Sequence, residues 1–147
     1  MEASPTPAIL LDTNVFLSAV QSVPRVTDSL RLIVHLLAAD VRLVGNELLA
    51  KEYLHYAQLV PSPTATALAA SILGTLEIIR VDERFVLACT PYFGGKKRKD
   101  CVHAATCLQR GATLASNDHD FDAVDRAGVI RRMTIGEAVR RWLPGRR

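Results

Sequence analysis

The feature that most constrains the fold of this chain is the alternation of short apolar runs with amphipathic segments. The apolar runs are rich in aliphatic and β-branched residues, which favour strands. They lie at 8–12, 41–44, 76–81, 112–116 and 129–130. Strands that alternate with helices are typical of a parallel sheet covered by helices. Since 147 residues suffice for one substantial core but not for two, we predict a single α/β domain with a central parallel sheet of about five strands, spanning 1–147.

Helix signals fill the segments between the predicted strands. Apolar residues recur there at three- and four-residue spacing, which predicts amphipathic helices. These helices are expected at 26–39, 47–60, 64–73, 83–90, 99–109, 120–126 and 134–142. Asn46 is a suitable N-cap for the second helix, and Gly111 is a suitable stop for the fifth. Thr134 and Glu137 match a capping box for the last helix, and no element is predicted over 13–25.

Four acidic residues stand in apolar surroundings: Asp12, Glu52, Asp100 and Asp118. Asp12 and Asp118 follow predicted strands, and the carboxyl ends of parallel strands face a common crevice. Glu52 and Asp100 lie on the apolar faces of predicted helices. Capping would explain Asp12 or Asp118 alone, and a helix start would explain Asp100 alone. Because buried carboxylates are costly and clustered ones repel each other, the set of four favours a site for a hard cation.

The ligand type narrows the choice of ion. Carboxylate oxygens favour Mg²⁺ or Mn²⁺, whereas Zn²⁺ would prefer histidine or cysteine. Four carboxylates can hold one or two such ions, and a pair of ions can clamp the attacking and leaving oxygens of a phosphoryl displacement.

Other residues near these four have simpler explanations. Glu47 lies in the first turn of its helix, where a negative charge complements the helix dipole. Asp120 could be an additional acid of the site, but the start of a short helix is the simpler explanation. His103 shares its helix with two cysteines, but they do not all lie on one face, which argues against a zinc site. Tyr53 and Tyr56 could stack on bases, although core packing is the default interpretation.

Positive charge is unevenly distributed along the chain, whose net charge is +3. One basic cluster precedes Asp100 and consists of Lys96, Lys97, Arg98 and Lys99. The C-terminal part is also rich in arginine. Such patches suit a polyanion such as nucleic acid, and they are equally common as solvated surface.

The sequence carries no sign of a membrane span, because charges interrupt every apolar stretch before the roughly eighteen residues that a span requires. No basic segment followed by an apolar core marks a secretory signal at the N-terminus. The three cysteines are odd in number and lack C-x-x-C spacing. We therefore expect a reduced, cytoplasmic location without membrane contact.

Two short segments resemble motifs of PIN-domain nucleases. Leu10–Asn14, with the sequence LLDTN, resembles the opening motif of that family. Ser116–Phe121, with the sequence SNDHDF, resembles its late motif, in which threonine often stands at the position of this serine.

Two intervening acidic motifs also match, namely Asn46 followed six residues later by Glu52, and Asp100 ahead of a pair of alanines. The resemblance runs in order over about 8–142, and in size and motif style it is closest to the VapC-type toxins of bacterial toxin–antitoxin pairs. The basic cluster before Asp100 is not a general feature of the family.

The resemblance implies a three-layer PIN-like fold and the hydrolysis of RNA phosphodiester bonds with Mg²⁺ or Mn²⁺. It implies that the metal ligands and catalytic groups are Asp12, Glu52, Asp100 and Asp118. The residues expected to orient them by hydrogen bonds are Thr13, Asn14 and Ser116. It also implies a cognate antitoxin and a homodimer as partners. A separate hypothesis is that substrate phosphates contact Lys96, Lys97, Arg98 and Lys99.

Three other functions stay open at the level of sequence. The chain could be a stand-alone RNA-processing or DNA-acting nuclease of the same family. A non-catalytic binding module is less favoured, because such a protein would be expected to have lost some of the acidic residues. A haloacid-dehalogenase-type phosphatase would need a second aspartate two positions after Asp12, where Asn14 stands.

Overall fold

Five short parallel strands form the centre of the molecule. The computed structural model of the chain describes residues 6–21, 25–95 and 97–145. The strands are β1 (Ala8–Leu11), β2 (Arg42–Gly45), β3 (Glu77–Ile78), β4 (Thr113–Ala115) and β5 (Arg131–Met133). Their order in the sheet is β3-β2-β1-β4-β5, and every neighbouring pair is parallel. The predicted α/β fold with a five-stranded parallel sheet is confirmed.

The central strand β1 is flanked by β2 and β4. Ile9 is in register with Leu43 on one side and with Thr113 on the other. All four residues of β1 are buried, as expected for a parallel strand that is covered on both faces. Because β1 and β4 are adjacent, whatever follows them in the chain emerges side by side at the carboxyl edge of the sheet.

Helices cover the sheet, so that the molecule has three layers. They are α1 (Thr13–Val20), α2 (Asp28–Ala38), α3 (Glu47–Leu59), α4 (Pro63–Thr75), α5 (Glu83–Cys89), α6 (Arg98–Arg110), α7 (Asp122–Arg126) and α8 (Ile135–Trp142). Helices α1 to α4 pack against one another, and α2 also contacts α8. Helix α6 packs against β1, β2 and β4 and against α5. Among the described residues, no helix is both long enough and apolar enough to cross a bilayer.

The expected helix ends agree with the structure where a cap was identified. The side chain of Asn46 accepts a hydrogen bond from the Leu49 amide at the start of α3. Thr134 and Glu137 form the complete capping box of α8. Gly111 ends α6 in the left-handed conformation with φ +62°, which a residue without Cβ adopts at little cost.

Three sequence predictions are wrong in detail. Helix α1 was not predicted, although its inward face buries Val15, Phe16 and Ala19. The last strand is Arg131–Met133 rather than 129–130, because Gly128 adopts φ +73° and a turn occupies the preceding residues. The third strand was predicted over 76–81 but pairs only at Glu77–Ile78.

An aromatic contact joins the helical layer to the end of β1. The rings of Phe16 and Tyr53 pack edge to face, with centroids 5.5 Å apart. The hydroxyl of Tyr53 donates a hydrogen bond to the carbonyl oxygen of Leu11 at 2.8 Å. Tyr53 is fully buried, so the default interpretation of core packing is correct for this residue.

Candidate active site

The candidate site lies at the carboxyl edge of the sheet, where β1 and β4 end side by side. Asp12 directly follows β1, and its amide donates to the carbonyl oxygen of Ala115 at the end of β4. Ser116 and Asp118 follow β4 in turn. The neighbouring strands therefore bring the first and the last acidic motif together, as expected from their positions in the sequence.

Asp12 is almost fully buried and accepts hydrogen bonds at both oxygens. Its Oδ1 accepts from the Thr13 amide at 2.8 Å, which makes it the N-cap of α1. Its Oδ2 accepts from the Ser116 hydroxyl at 2.6 Å and from the side-chain amide of Asn14 at 3.3 Å. Burial raises the pKa of Asp12, although the hydrogen bond from Ser116 partly offsets that effect. Asp12 therefore caps α1 and also belongs to the candidate site.

Glu52 projects from α3 and is held by α6. Its Oε1 lies 2.9 Å from Nε2 of His103, and its Oε2 accepts from the Thr13 hydroxyl at 3.2 Å. Burial raises the pKa of Glu52, but the hydrogen bonds from His103 and Thr13 outweigh that effect and lower the pKa. Thr13 thus connects the carboxylate of Glu52 to the capped end of α1.

The orientation of Asn46 determines the tautomer of His103. Because Oδ1 of Asn46 accepts from the Leu49 amide, its Nδ2 must face His103 and Thr106. Nδ2 lies 3.0 Å from Nδ1 of His103, which must then act as the acceptor. The proton of the neutral ring is therefore on Nε2 and is donated to Glu52.

Ser116 and Asn14 form a hydrogen-bond network with Asp12. The amide of Asn14 donates to the Ser116 hydroxyl oxygen at 2.9 Å, and that oxygen also accepts from the backbone N–H of Asp118. Asn14 must present its nitrogen to Asp12, since the oxygen would repel the carboxylate. Its Oδ1 is buried and, within the described residues, has no hydrogen-bond partner.

Besides Asp12 and Glu52, three further carboxylates form a group of their own. Asp100, Asp118 and Asp120 each offer an oxygen, and these oxygens lie within 4.8 Å of one another. Burial, a hydrogen bond with Asp120 and the charges of neighbouring carboxylates raise the pKa of Asp100 to about 6. The backbone N–H of Asp120 donates to Oδ1 of Asp118 at 2.9 Å. The helix start was the preferred interpretation of Asp120 and an additional acid the alternative; the structure places its side chain with the other acids.

The four predicted carboxylates thus divide between two adjacent groups. One group contains Asp12 and Glu52 together with His103, again with ligand atoms within 4.8 Å of one another. The other contains Asp100 and Asp118 together with Asp120. The charge of Asp12 contributes to the raised pKa of Asp100, so the two groups interact electrostatically.

Comparison with protein families identifies the family of this chain. The model of the PIN domain family matches residues 9–127. The chain belongs to the PIN domain family. The matched part begins in β1 and ends just beyond α7, so it includes all the residues of both acidic groups. Comparison with curated proteins found no significant match.

Two solved structures share the fold of this PIN domain. VapBC2 from Rickettsia felis, bound to a DNA fragment from its promoter, is similar with a TM-score of 0.62 and 15% sequence identity, over 86% of this chain and 98% of that chain. FitAB bound to the IR36 DNA fragment is similar with a TM-score of 0.57 and 23% identity, over 86% of this chain and 94% of that chain. At these identities the similarity shows the fold, and the three-layer PIN-like fold expected from the motifs is confirmed.

The donor chemistry of the PIN domain fits a divalent hard cation. Three carboxylates converge in the second group, and within the described residues the one side-chain ion pair to them is that of Lys97 with Asp120. Burial of Asp100 and the charges of the neighbouring carboxylates raise its pKa. Oxygen ligands of this kind suit Mg²⁺ or Mn²⁺ better than Zn²⁺. Membership of the family supports a nuclease that uses a divalent ion.

One residue of the basic cluster before Asp100, Lys97, contacts an acidic group. Nζ of Lys97 lies 3.0 Å from Oδ2 of Asp120, and this contact raises the pKa of Lys97. Arg98 and Lys99 are exposed in the first turn of α6. Lys96 lies outside the described residues. Contact with substrate stays a prediction for all four.

Two residues of the site were missed at the level of sequence. His103 was set aside as a doubtful zinc ligand, although it is the buried partner of Glu52. Arg132 on β5 has a nearly buried side chain that donates to the carbonyl oxygens of Ser116 and Asp118, at 3.2 and 3.4 Å, and forms an ion pair with Asp122. Nothing in the sequence around Arg132 indicates that its side chain donates to the segment after β4.

Proposed function

We propose that this PIN domain is a metal-dependent endoribonuclease and the toxin of a toxin–antitoxin pair. The observation that carries the nuclease proposal is the convergence of two acidic groups, five carboxylates in all, at the carboxyl edge of a PIN-fold sheet. The observation that supports the toxin proposal is the similarity of fold to VapBC2 and FitAB. The same similarity supports a protein antitoxin as a partner, and we extend the proposal to a homodimer.

The proposed ligands of the divalent ion are Asp12, Glu52, Asp100 and Asp118, with Asp120 as a further carboxylate. Bound there, Mg²⁺ or Mn²⁺ would neutralise the developing charge on the phosphoryl oxygens and activate the attacking water. In the hydrolysis, a water oxygen forms a bond to phosphorus while the bond from phosphorus to the leaving ribose oxygen breaks. The proton of the water is released, and a proton is added to the leaving oxygen.

The residues around the carboxylates hold them in place for this reaction. Ser116 and Thr13 donate hydrogen bonds to Asp12 and Glu52, and the neutral His103 fixes the second oxygen of Glu52. Oδ1 of Asn14 is a buried acceptor without a partner among the described residues, suited to accept a hydrogen bond from a water in the site. Each contact restricts the rotation of a ligand side chain before substrate binds.

Cleavage of a mixed RNA pool tests the nuclease proposal. Wild-type protein should cleave the pool with Mn²⁺ and not with a chelator, and Asp12→Asn should lose at least 100-fold of that rate, on the order expected for a lost metal ligand. Asp40→Asn is the matched control, because the same substitution is made at an exposed residue outside the site. Equal rates for Asp12→Asn and the wild type would contradict the proposal.

Expression in a bacterial host tests the toxin proposal separately. Growth should stop when the wild-type chain is produced and continue when Asp100→Asn is produced at the same level. Co-production of the protein encoded next to it should restore growth. Metal-dependent cleavage without growth arrest would instead favour a stand-alone nuclease.

A further inference from the structure

Two hollows open beside the candidate site and share Asp100 and Lys99. The first, of about 510 Å³, is lined by charged side chains, among them Lys97, Asp118 and Asp120. The second, of about 470 Å³, lies between α3 and α6 and is lined in part by Glu52, His55 and Tyr56. We call the second one the ring hollow, because two aromatic rings line it whereas none lines the first. Its volume falls within the range of small-ligand sites.

The rings of the ring hollow are available to a ligand. His55 and Tyr56 contact each other with centroids 5.3 Å apart and planes at 63°. Tyr56 is half-buried and packs against the core on one side, which holds its ring in place, while His55 is exposed. Tyr53, one turn away, is excluded from such a role because it is fully buried and bonded to Leu11.

Positive charge flanks these rings. Lys51 on α3 and Lys99 on α6 both line the ring hollow, and both are exposed. Lys51 pairs with Glu47 at 3.0 Å, but the two side chains are 67% and 78% exposed, so solvent weakens the pair and a phosphate can compete for the lysine. The ring hollow therefore combines a stacking surface, two cations and, on the wall nearest the candidate site, Glu52 and Asp100.

We propose that the ring hollow is a nucleotide subsite of the ribonuclease, in which Tyr56 stacks on a base of single-stranded RNA. Lys51 and Lys99 contact the phosphates on either side of that nucleotide. This inference rests on the proposed function, because the bound base adjoins the phosphodiester at the carboxylates. The RNA strand then passes from the ring hollow to the first hollow at Lys99 and Asp100, which line both hollows.

Single-stranded RNA is the form that fits this arrangement. A base can reach an aromatic ring in a protein hollow only when it is unstacked from its neighbours, as in loops and single strands. Stacking on a tyrosine tolerates any base, so this subsite adds affinity more than sequence selectivity. The lysines contact the backbone and are equally indifferent to sequence.

Binding of two labelled probes in Mg²⁺ buffer tests the subsite. One probe is a ribose-methylated adenylate dodecamer, which resists hydrolysis, and the other is an abasic dodecamer of equal charge. Wild-type protein should bind the adenylate probe more tightly. Tyr56→Leu should lower the ratio of the two affinities by roughly 5- to 100-fold, the effect of losing one stacked base, and should leave binding of the abasic probe unchanged.

Two control variants separate stacking from folding. Tyr56→Phe keeps the ring and should keep the wild-type ratio. Tyr92→Leu removes another half-buried tyrosine that packs on the core but does not line the ring hollow, and it too should keep the ratio. Thermal unfolding of each variant shows whether a loss of binding reflects a loss of folded protein.

The outcomes for the subsite and for the proposed function can be distinguished. An unchanged ratio in Tyr56→Leu, or equal weakening of both probes, overturns the subsite, and RNA cleavage by the same protein would leave the ribonuclease proposal standing. A ratio that falls as expected in a protein that cleaves no RNA supports the subsite and contradicts the ribonuclease. If the wild type binds neither probe, the subsite is overturned.

Discussion

The ring of His103 is held between Asn46 and Glu52, 3.0 Å from the amide of the first and 2.9 Å from the carboxylate of the second. The amide that caps α3 thereby determines which ring nitrogen carries the proton, and that nitrogen orients a proposed metal ligand. His103 is 1% exposed, so water cannot replace it as a donor. We interpret His103 as a positioning residue for Glu52.

Replacing His103 should weaken metal binding more than it disturbs the fold. In His103→Leu the carboxylate of Glu52 loses its fixed donor, and we expect Mn²⁺ affinity and RNA cleavage to fall by roughly 10- to 100-fold. His103→Gln, which can still donate from its amide, should recover part of the loss. Calorimetric Mn²⁺ titration and urea unfolding of each variant check this, and normal Mn²⁺ affinity in a folded His103→Leu protein would refute it.

Divalent ions should stabilise the folded protein. At a free Mn²⁺ concentration of about 100 times its dissociation constant, binding to the native state alone contributes about 2.7 kcal/mol. For a chain of this size that corresponds to a rise in Tm of roughly 5–10 °C. Asp118→Asn should abolish most of the rise, whereas Asp40→Asn should retain it. Scanning calorimetry with and without Mn²⁺ is the measurement, and an unchanged wild-type Tm contradicts the metal site.

The pKa of Asp100 predicts how the metal-free protein responds to pH. Its pKa is raised from 3.8 to about 6, so the folded state holds the proton more tightly than the unfolded state. Ionisation of Asp100 therefore costs stability as pH rises from about 4 to about 6, and the full cost is present above that window. The cost is absent below pH 3.8, where both states are protonated.

Asp100→Asn should consequently stabilise the metal-free protein at neutral pH. We expect a gain of about 1 kcal/mol at pH 7, because the carboxyl is partly exposed and solvent screens its neighbours. Near pH 3.5 the variant and the wild type should unfold at about the same urea concentration. Urea titrations in a chelating buffer measure both, and a variant less stable than the wild type at neutral pH would disprove the interpretation.

The basic cluster should affect the salt dependence of RNA binding. If Lys96 and Lys97 both contact phosphates, replacing them by alanine lowers the slope of log affinity against log salt by up to about 1.4. Substitution of Arg140 and Arg141, two exposed residues of α8, removes the same charge elsewhere and should not change the slope. An unchanged slope for the lysine pair would mean that Lys97 serves only as a partner of Asp120.

Tyr53 should contribute to stability rather than to RNA binding. Tyr53→Phe keeps the edge-to-face contact with Phe16 but leaves the carbonyl oxygen of Leu11 without its donor. The loss should be about 1 kcal/mol in the free energy of unfolding. Urea unfolding measures it, and the preference for the adenylate probe over the abasic one should stay at the wild-type value, in contrast to Tyr56→Leu.

The fold was predictable because β1, β2 and β4 are mostly apolar and several helices have side-chain caps. The predicted position of β5 was wrong because Arg131 and Arg132 are residue types that are typical of the surface, although the pairing with β4 places them in the sheet. Helix α1 was not predicted because it has only eight residues and three of them, Thr13, Val15 and Val20, are β-branched and favour strands.

The four acids of the candidate site were predictable, and so were three residues that hydrogen-bond to them: Thr13, Asn14 and Ser116. Strand ends and helix faces indicated Asp12, Glu52, Asp100 and Asp118, since the topology of a parallel sheet brings such positions together. The partnership of His103 with Glu52 depends on the distance between α3 and α6, which no pattern within either helix contains. The position of Asp120 beside Asp100 and Asp118 likewise depends on how the segment after β4 packs, which the sequence pattern does not show.

The central position of β1 also has a consequence for synthesis on the ribosome. The hydroxyl of Ser116 that orients Asp12 is 104 residues further along the chain, and β4 must pair with β1 before the two can meet. A growing chain therefore carries its first acidic motif without a site around it until β4 has been synthesised. If the protein is the proposed toxin, the host is exposed to its activity only after β4 has paired with β1, and an antitoxin has that interval in which to be ready.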